Sequence, residues 1–133
     1  NQGLDARLLT AHHANRIAEL DMLVIRLSWD HVNEEKAFME AINTLNIAGI
    51  SNRNIRVYVL IGFDATPEDA LYRLETLKAM KIWPNVQRYQ PLTALKKNMY
   101  VAPAWSAYEL RRYSRYWNRQ VWLGGVPFQE YRG

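Results

Sequence analysis

Residues 55–72 read IRVYVLIGFDATPEDALY, from Ile55 to Tyr72. The β-branched, apolar run Ile55–Ile61 predicts a strand that ends at Gly62, and Phe63–Thr66 then turns the chain toward a helix. Thr66 suits the N-cap and Pro67 the first helical position, while Glu68 and Asp69 favour the positive end of the helix dipole. Strand, glycine turn and capped helix form half of a βαβ unit. Such junctions lie at the carboxyl ends of parallel strands, where α/β proteins place their ligands.

The neighbouring segments repeat this unit in both directions. Upstream, Asn33–Ala48 reads as a helix: Phe38, Ala41, Ile42 and Leu45 recur at three and four residues, Asn33 suits the N-cap and Gly49 the stop. Before it, Met22–Trp29 reads as a strand whose alternation puts Arg26, Ser28 and Asp30 on one face and Ile25, Leu27 and Trp29 on the other. Thr10 suits the cap of a short helix through about Leu20, with Ala14, Ile17 and Ala18 on its apolar side. Leu4–Leu9 reads as irregular or as the tail of a further strand.

Downstream, Pro67–Met80 continues as a helix with Leu71, Leu74 and Leu77 inward, and Asn85–Gln90 follows as a strand that stops at Pro91. A loop over Pro91–Pro103 holds Lys96-Lys97-Asn98, Ala104–Asn118 reads as the last helix, and residues 119–133 as an irregular tail. The alternation predicts an α/β domain: a parallel sheet of three to four strands with crossover helices. Strands are expected near residues 1–4, 22–29, 55–62 and 85–90, within a unit spanning residues 1–95. Residues 96–133 add a closing helix and tail to the same domain.

With 133 residues and 49% hydrophobic content, the chain is one domain with a real core, and disorder is excluded. No apolar run approaches the 18 or so residues of a membrane span, and Asn1-Gln2-Gly3 lacks the basic start and apolar block of a signal peptide. The absence of cysteine removes disulfides, thiolate zinc sites and cysteine-held iron–sulfur clusters from this chain. These features fit a cytoplasmic protein. The start at Asn1, without methionine, fits a processed or excised piece.

Several chemistries lack their motifs. The turn Gly62-Phe63-Asp64-Ala65-Thr66 has no GK[ST] ending, and neither a Rossmann GxGxxG nor a GxSxG elbow occurs. His12 and His13 point about 100° apart on a helix and make a poor metal pair, so no metal ligands are assigned. Asp30-His31 could serve acid–base chemistry, but the pair is too common to be diagnostic. What remains is a set of strand ends: Asn1-Gln2, Arg26/Ser28/Asp30, Gly62/Asp64 and Gln87/Arg88/Tyr89. Two of these have plain structural readings: Arg26 and Asp30 pairing across strands, and Gly62 serving only its turn.

Taken in order, Asn1-Gln2-Gly3-Leu4-Asp5-Ala6-Arg7-Leu8-Leu9-Thr10, the strand ending Ser28-Trp29-Asp30, the run Tyr58–Asp64 before Pro67-Glu68-Asp69, and Arg88-Tyr89-Gln90-Pro91 resemble the carboxyl-terminal half of a radical S-adenosylmethionine (SAM) core domain. The resemblance covers about residues 1–92. It implies a partial (β/α)6 TIM barrel in which this chain forms the third to sixth strands. In that family a CxxxCxxC loop after the first strand holds a 4Fe-4S cluster that cleaves SAM to a 5′-deoxyadenosyl radical. By the likeness Arg26, Ser28 or Asp30 would meet the ribose or methionine part of SAM. The family's GxIxGxxE motif would map to Tyr58-x-Leu60-x-Gly62 beside adenine, and Arg88–Tyr89 would offer backbone groups to adenine. The chain departs from the family at Tyr58 in place of the first motif glycine and at Ala65 in place of the acid, with Asp64 one residue early. The cluster loop and first two strands are absent from it. The resemblance thus implies a fragment of an enzyme, inactive alone, with SAM and the cluster belonging to the full-length parent and neither expected on this chain by itself. Its partner would be the amino-terminal half of the barrel, and an open sheet edge near residues 22–29 would invite self-association.

A second reading rests on charge. Residues 1–95 carry 10 Lys/Arg against 11 Asp/Glu, whereas residues 96–133 carry 7 against 2, interleaved with aromatics. Arg111, Arg112, Arg115 and Arg119 could bind single-stranded nucleic acid by phosphate contact and stacking, or simply be the wet face of a terminal helix.

Overall fold

The computed structural model describes residues 4–5, 9–19, 24–93, 95–97 and 99–133. Asn1 and Gln2, the start of the expected strand at Met22 and Leu23, and Asn98 lie outside the described residues. In chain order the elements are β1 (Leu4–Asp5), α1 (Ala11–Glu19), β2 (Ile25–Ser28), α2 (Glu35–Ile47), β3 (Ile55–Ile61), α3 (Pro67–Ala79), β4 (Trp83–Arg88) and α4 (Ala107–Asn118), with short 3-10 turns between and after them.

The sheet is parallel throughout and runs β1-β2-β3-β4, so each strand lies beside its sequence neighbour. With right-handed crossovers, that order winds the helices along one face. Burial agrees. Ile25, Leu27, Ile55, Val57, Val59, Ile61 and Val86 pack with Phe38, Leu45, Leu74, Leu77 and Leu110 in a single core. The alternate residues of the strands, among them Arg26, Ser28, Tyr58, Leu60, Asn85 and Gln87, are half-buried or exposed. Parallel sheets ordinarily carry cover on both faces; among the described residues this one leaves a polar face open.

The caps follow local chemistry. Thr66 Oγ1 accepts from the Asp69 amide at 3.1 Å, Ser106 Oγ from the Glu109 amide at 3.0 Å, and Thr10 Oγ1 from the His13 amide at 3.2 Å. Asn33 is not the cap of α2. His31 Nδ1 accepts the Asn33 amide at 3.1 Å, a 3-10 turn spans Val32–Glu34, and α2 starts only at Glu35. His31 caps the 3-10 turn that precedes α2, and Asn33 lies inside that turn rather than at the helix start.

Two further expectations are corrected. The strand expected at Asn85–Gln90 lies two residues earlier, because the parallel register with β3 begins at Trp83 opposite Arg56 and includes Pro84. The open edge is not at residues 22–29 either: β2 is interior, paired to β1 on one side and β3 on the other. The sheet's edges are β1 and β4. The β4 edge is partly closed by one side chain, since the Val86 amide donates to Asn118 Oδ1 at 2.7 Å and Asn118 Nδ2 donates to the Val86 carbonyl at 3.0 Å. The Asn118 amide thus imitates a neighbouring strand's peptide group. Residues 119–133 are more ordered than an irregular tail: two 3-10 turns carry Trp122 and Phe128 onto Tyr116 and Trp117 of α4.

Candidate functional site

The carboxyl ends of β2 and β3 are clasped from α3. Arg73 is fully buried; its guanidinium donates to the Trp29 carbonyl at 2.7 Å and the Leu60 carbonyl at 3.1 Å, and its Nε pairs with Asp69 Oδ1. Asp69 in turn accepts the Val32 amide at 3.0 Å, with His31 Nε2 3.7 Å away. With Nδ1 held by the Asn33 amide, the Nε2 edge of the His31 ring faces Asp69. A charge removed from water needs this completeness of pairing, since an unpaired one costs several kcal/mol. The spacing of Asp69 and Arg73 is that of a helix ion pair, so the pair was legible in the sequence. Its burial across two strand ends was not.

The expected site residues now have places. Asp30 Oδ1 accepts the Leu60 amide at 3.3 Å, so this carboxylate extends the β2–β3 ladder past the last strand residue. Ser28 and Tyr58 are register partners, half-buried on the open face, and Tyr58 pairs onward with Asn85. Arg26 is exposed lower on that face beside Arg56. Gly62 has φ +76°, and a Cβ there would stand 2.8 Å from Leu110 Cδ2. Glycine is needed for the turn and for the approach of α4, and Gly62 is itself buried. Asp64 is exposed in the following turn. Beside it Phe63, Tyr89 and Tyr100 form a row across the ends of β3 and β4, with ring centroids 4.4 and 5.5 Å apart.

Arg88 stands at the carboxyl end of β4, where two adjoining clefts meet. One, of about 500 Å³, is lined by Arg88, Met99, Val101, Arg111, Ser114 and Arg115. The other, of about 580 Å³, is lined by Gln87, Arg88, Tyr89, Gln90, Lys97 and Ser114 among others. Arg88 donates to the Tyr100 carbonyl at 2.9 Å, while its Nε is buried with no partner among the described residues. Burial pushes its pKa down from the ordinary arginine value. Among the described residues, no acidic side chain lines either cleft.

The four arginines of the last helix do not act together. Arg111 and Arg115 face these clefts. Arg112 instead donates to the Tyr131 and Phe128 carbonyls and stacks 3.9 Å over the Phe128 ring, pinning the tail to α4. Arg119 is the exposed C-cap of α4. Lys97 and Arg88, from other segments, complete the group that charge counting along the helix missed. Among the described residues no cluster of three or more His, Asp or Glu is placed to hold a metal, and no helix is long and apolar enough to cross a membrane. No model of a protein family matches the chain, and neither a curated protein nor a solved structure is found similar to it.

Proposed function

We propose that this chain is one wall of a radical SAM enzyme: the third to sixth strands of a (β/α)6 barrel, with the cluster-bearing strands supplied by polypeptide outside these 133 residues. The observation that carries the reading is the open face. Four sequential parallel strands with helices on one side and a polar, uncovered opposite side are what a barrel wall looks like when its lumen is exposed. The β1 edge is where preceding strands would pair. The β4 edge, where the barrel would end, is the one partly closed by Asn118.

The cofactor residues divide under this reading. The cluster has no ligand in this chain, which lacks cysteine, so no chemical step is assigned to these residues. SAM, when bound, would supply the group cleaved at that cluster. The adjacent Ser28 and Tyr58 hydroxyls would hold polar parts of it from the wall, and the main chain at Gly62 and at Arg88–Tyr89 would stand beside adenine. Asp30 acts on the wall itself, as a positioning residue that fixes the ends of β2 and β3.

The test is the coding frame upstream of the Asn1 codon. An in-frame CxxxCxxC about a hundred codons away, a distance judged from the size of an α/β unit, supports the proposal. An upstream frame of that length without the motif sinks it. In a full-length protein carrying the motif, Ser28→Leu should weaken SAM binding at least tenfold while iron content is unchanged; unchanged affinity would remove Ser28 from the site.

A further inference from the structure

The paired clefts around Arg88 have a property that the barrel reading does not use. Four cations converge on them from three parts of the chain: Arg88 from the end of β4, Lys97 from the following loop, and Arg111 and Arg115 from α4. Arg111 and Arg115 are one helical turn apart, about 6 Å along the axis. Among the described residues, neither cleft has an acidic side chain in its lining and the buried Nε of Arg88 has no partner. Positive charge partly removed from water, without counter-charge, favours an anion that brings oxygen acceptors. Along the same rim run Phe63, Tyr89 and Tyr100, with Tyr89 itself lining the second cleft and Phe63 half exposed.

We infer that this elongated basic groove binds single-stranded nucleic acid, with phosphates on Arg88, Lys97, Arg111 and Arg115 and bases stacked on the Phe63–Tyr89–Tyr100 row. A backbone-tracking line of cations beside aromatic faces is the general recipe for sequence-tolerant single-strand binding. A lone phosphate or mononucleotide would need neither the length of two clefts nor the row of rings. The groove is distinct from a second basic surface at the opposite end of the sheet, where Arg53, Arg56, Lys78 and Lys81 surround Trp83 and Trp122. There Arg56 already lies over the Trp83 ring and donates to the Arg53 and Ile55 carbonyls. Binding in the groove does not depend on the barrel reading, and its test needs neither SAM nor iron.

The test is anisotropy of a labelled oligothymidine titrated with the chain across a series of salt concentrations. Four phosphate contacts predict that log K falls with log salt at a slope of about −3. Lys97→Gln with Arg111→Gln, both exposed and therefore harmless to folding, should bring the slope to about −1.4 and weaken low-salt binding at least tenfold. Tyr89→Leu should weaken binding severalfold with the slope unchanged. Arg53→Gln with Lys81→Gln should leave both unchanged. The inference is overturned if the wild type does not bind, or if the first double variant keeps the wild-type slope. It also fails if the Arg53/Lys81 variant is the one that loses binding, or if inorganic phosphate or thymidine monophosphate competes as well as the oligonucleotide.

Discussion

Replacing Gly62 by alanine tests whether the glycine of the central junction serves packing or leaves room for a ligand. Two costs add. At φ +76° a residue with a Cβ is strained by about 1–2 kcal/mol. The new methyl would also stand 2.8 Å from Leu110 Cδ2, closer than carbon atoms pack, so the tip of the fully buried Leu110 must shift within the core. Overpacking of that kind costs about 1–3 kcal/mol. Gly62→Ala should therefore destabilise the domain by about 2–5 kcal/mol in urea unfolding followed by tryptophan fluorescence, with an unchanged m-value. The decisive comparison is a double-mutant cycle. Leu110→Ala alone should cost about 2–5 kcal/mol through its cavity. In that background the clash is gone, so Gly62→Ala should cost only the strain, about 1–2 kcal/mol. An alanine at 62 that costs the same with and without Leu110 would refute the packing argument. A cost below about 0.5 kcal/mol would refute the conformational one as well.

Two other perturbations probe the same framework. Arg73→Met keeps an unbranched chain in place but strands Asp69 and the Trp29 and Leu60 carbonyls, so it should cost about 3–5 kcal/mol in the same assay. A loss under about 1 kcal/mol would mean that water reaches the clasp. Alkaline pH should unfold the protein through Tyr113, whose buried hydroxyl donates to the Pro67 carbonyl at 2.9 Å and whose pKa is pushed well above the ordinary 10.0, chiefly by burial and secondarily by Glu109. A phenol that ionises more easily when unfolded gives full stability below the unfolded value and loses it as pH rises past about 10. Urea midpoints between about pH 9 and about pH 11 should fall, and fall less in Tyr113→Phe; identical profiles would exclude Tyr113 as a source.

What the sequence determined is what arises between near neighbours along the chain. The β-branched, apolar run Ile55–Ile61 predicts a strand, found buried at every second residue, and Thr10 and Thr66 cap the helices they precede. The order of elements was enough for a parallel α/β sheet, because a parallel strand can follow another only through a crossover. Where a 3-10 turn capped by His31 precedes the helix proper, the local reading placed the cap at Asn33, inside that turn. The tertiary structure alone decided the rest. Arg73 reaches a carbonyl 44 residues away, Trp105 and Tyr113 donate to carbonyls 40 and 46 residues away, and Asn118 partly closes an edge 32 residues upstream. The basic groove likewise exists only because β4, its loop and α4 fold together, which takes Arg112 out of the cationic group and brings Arg88 in. Periodicity tells which face of an element is apolar; it carries no information on what that face meets, which depends on packing between segments far apart in the chain.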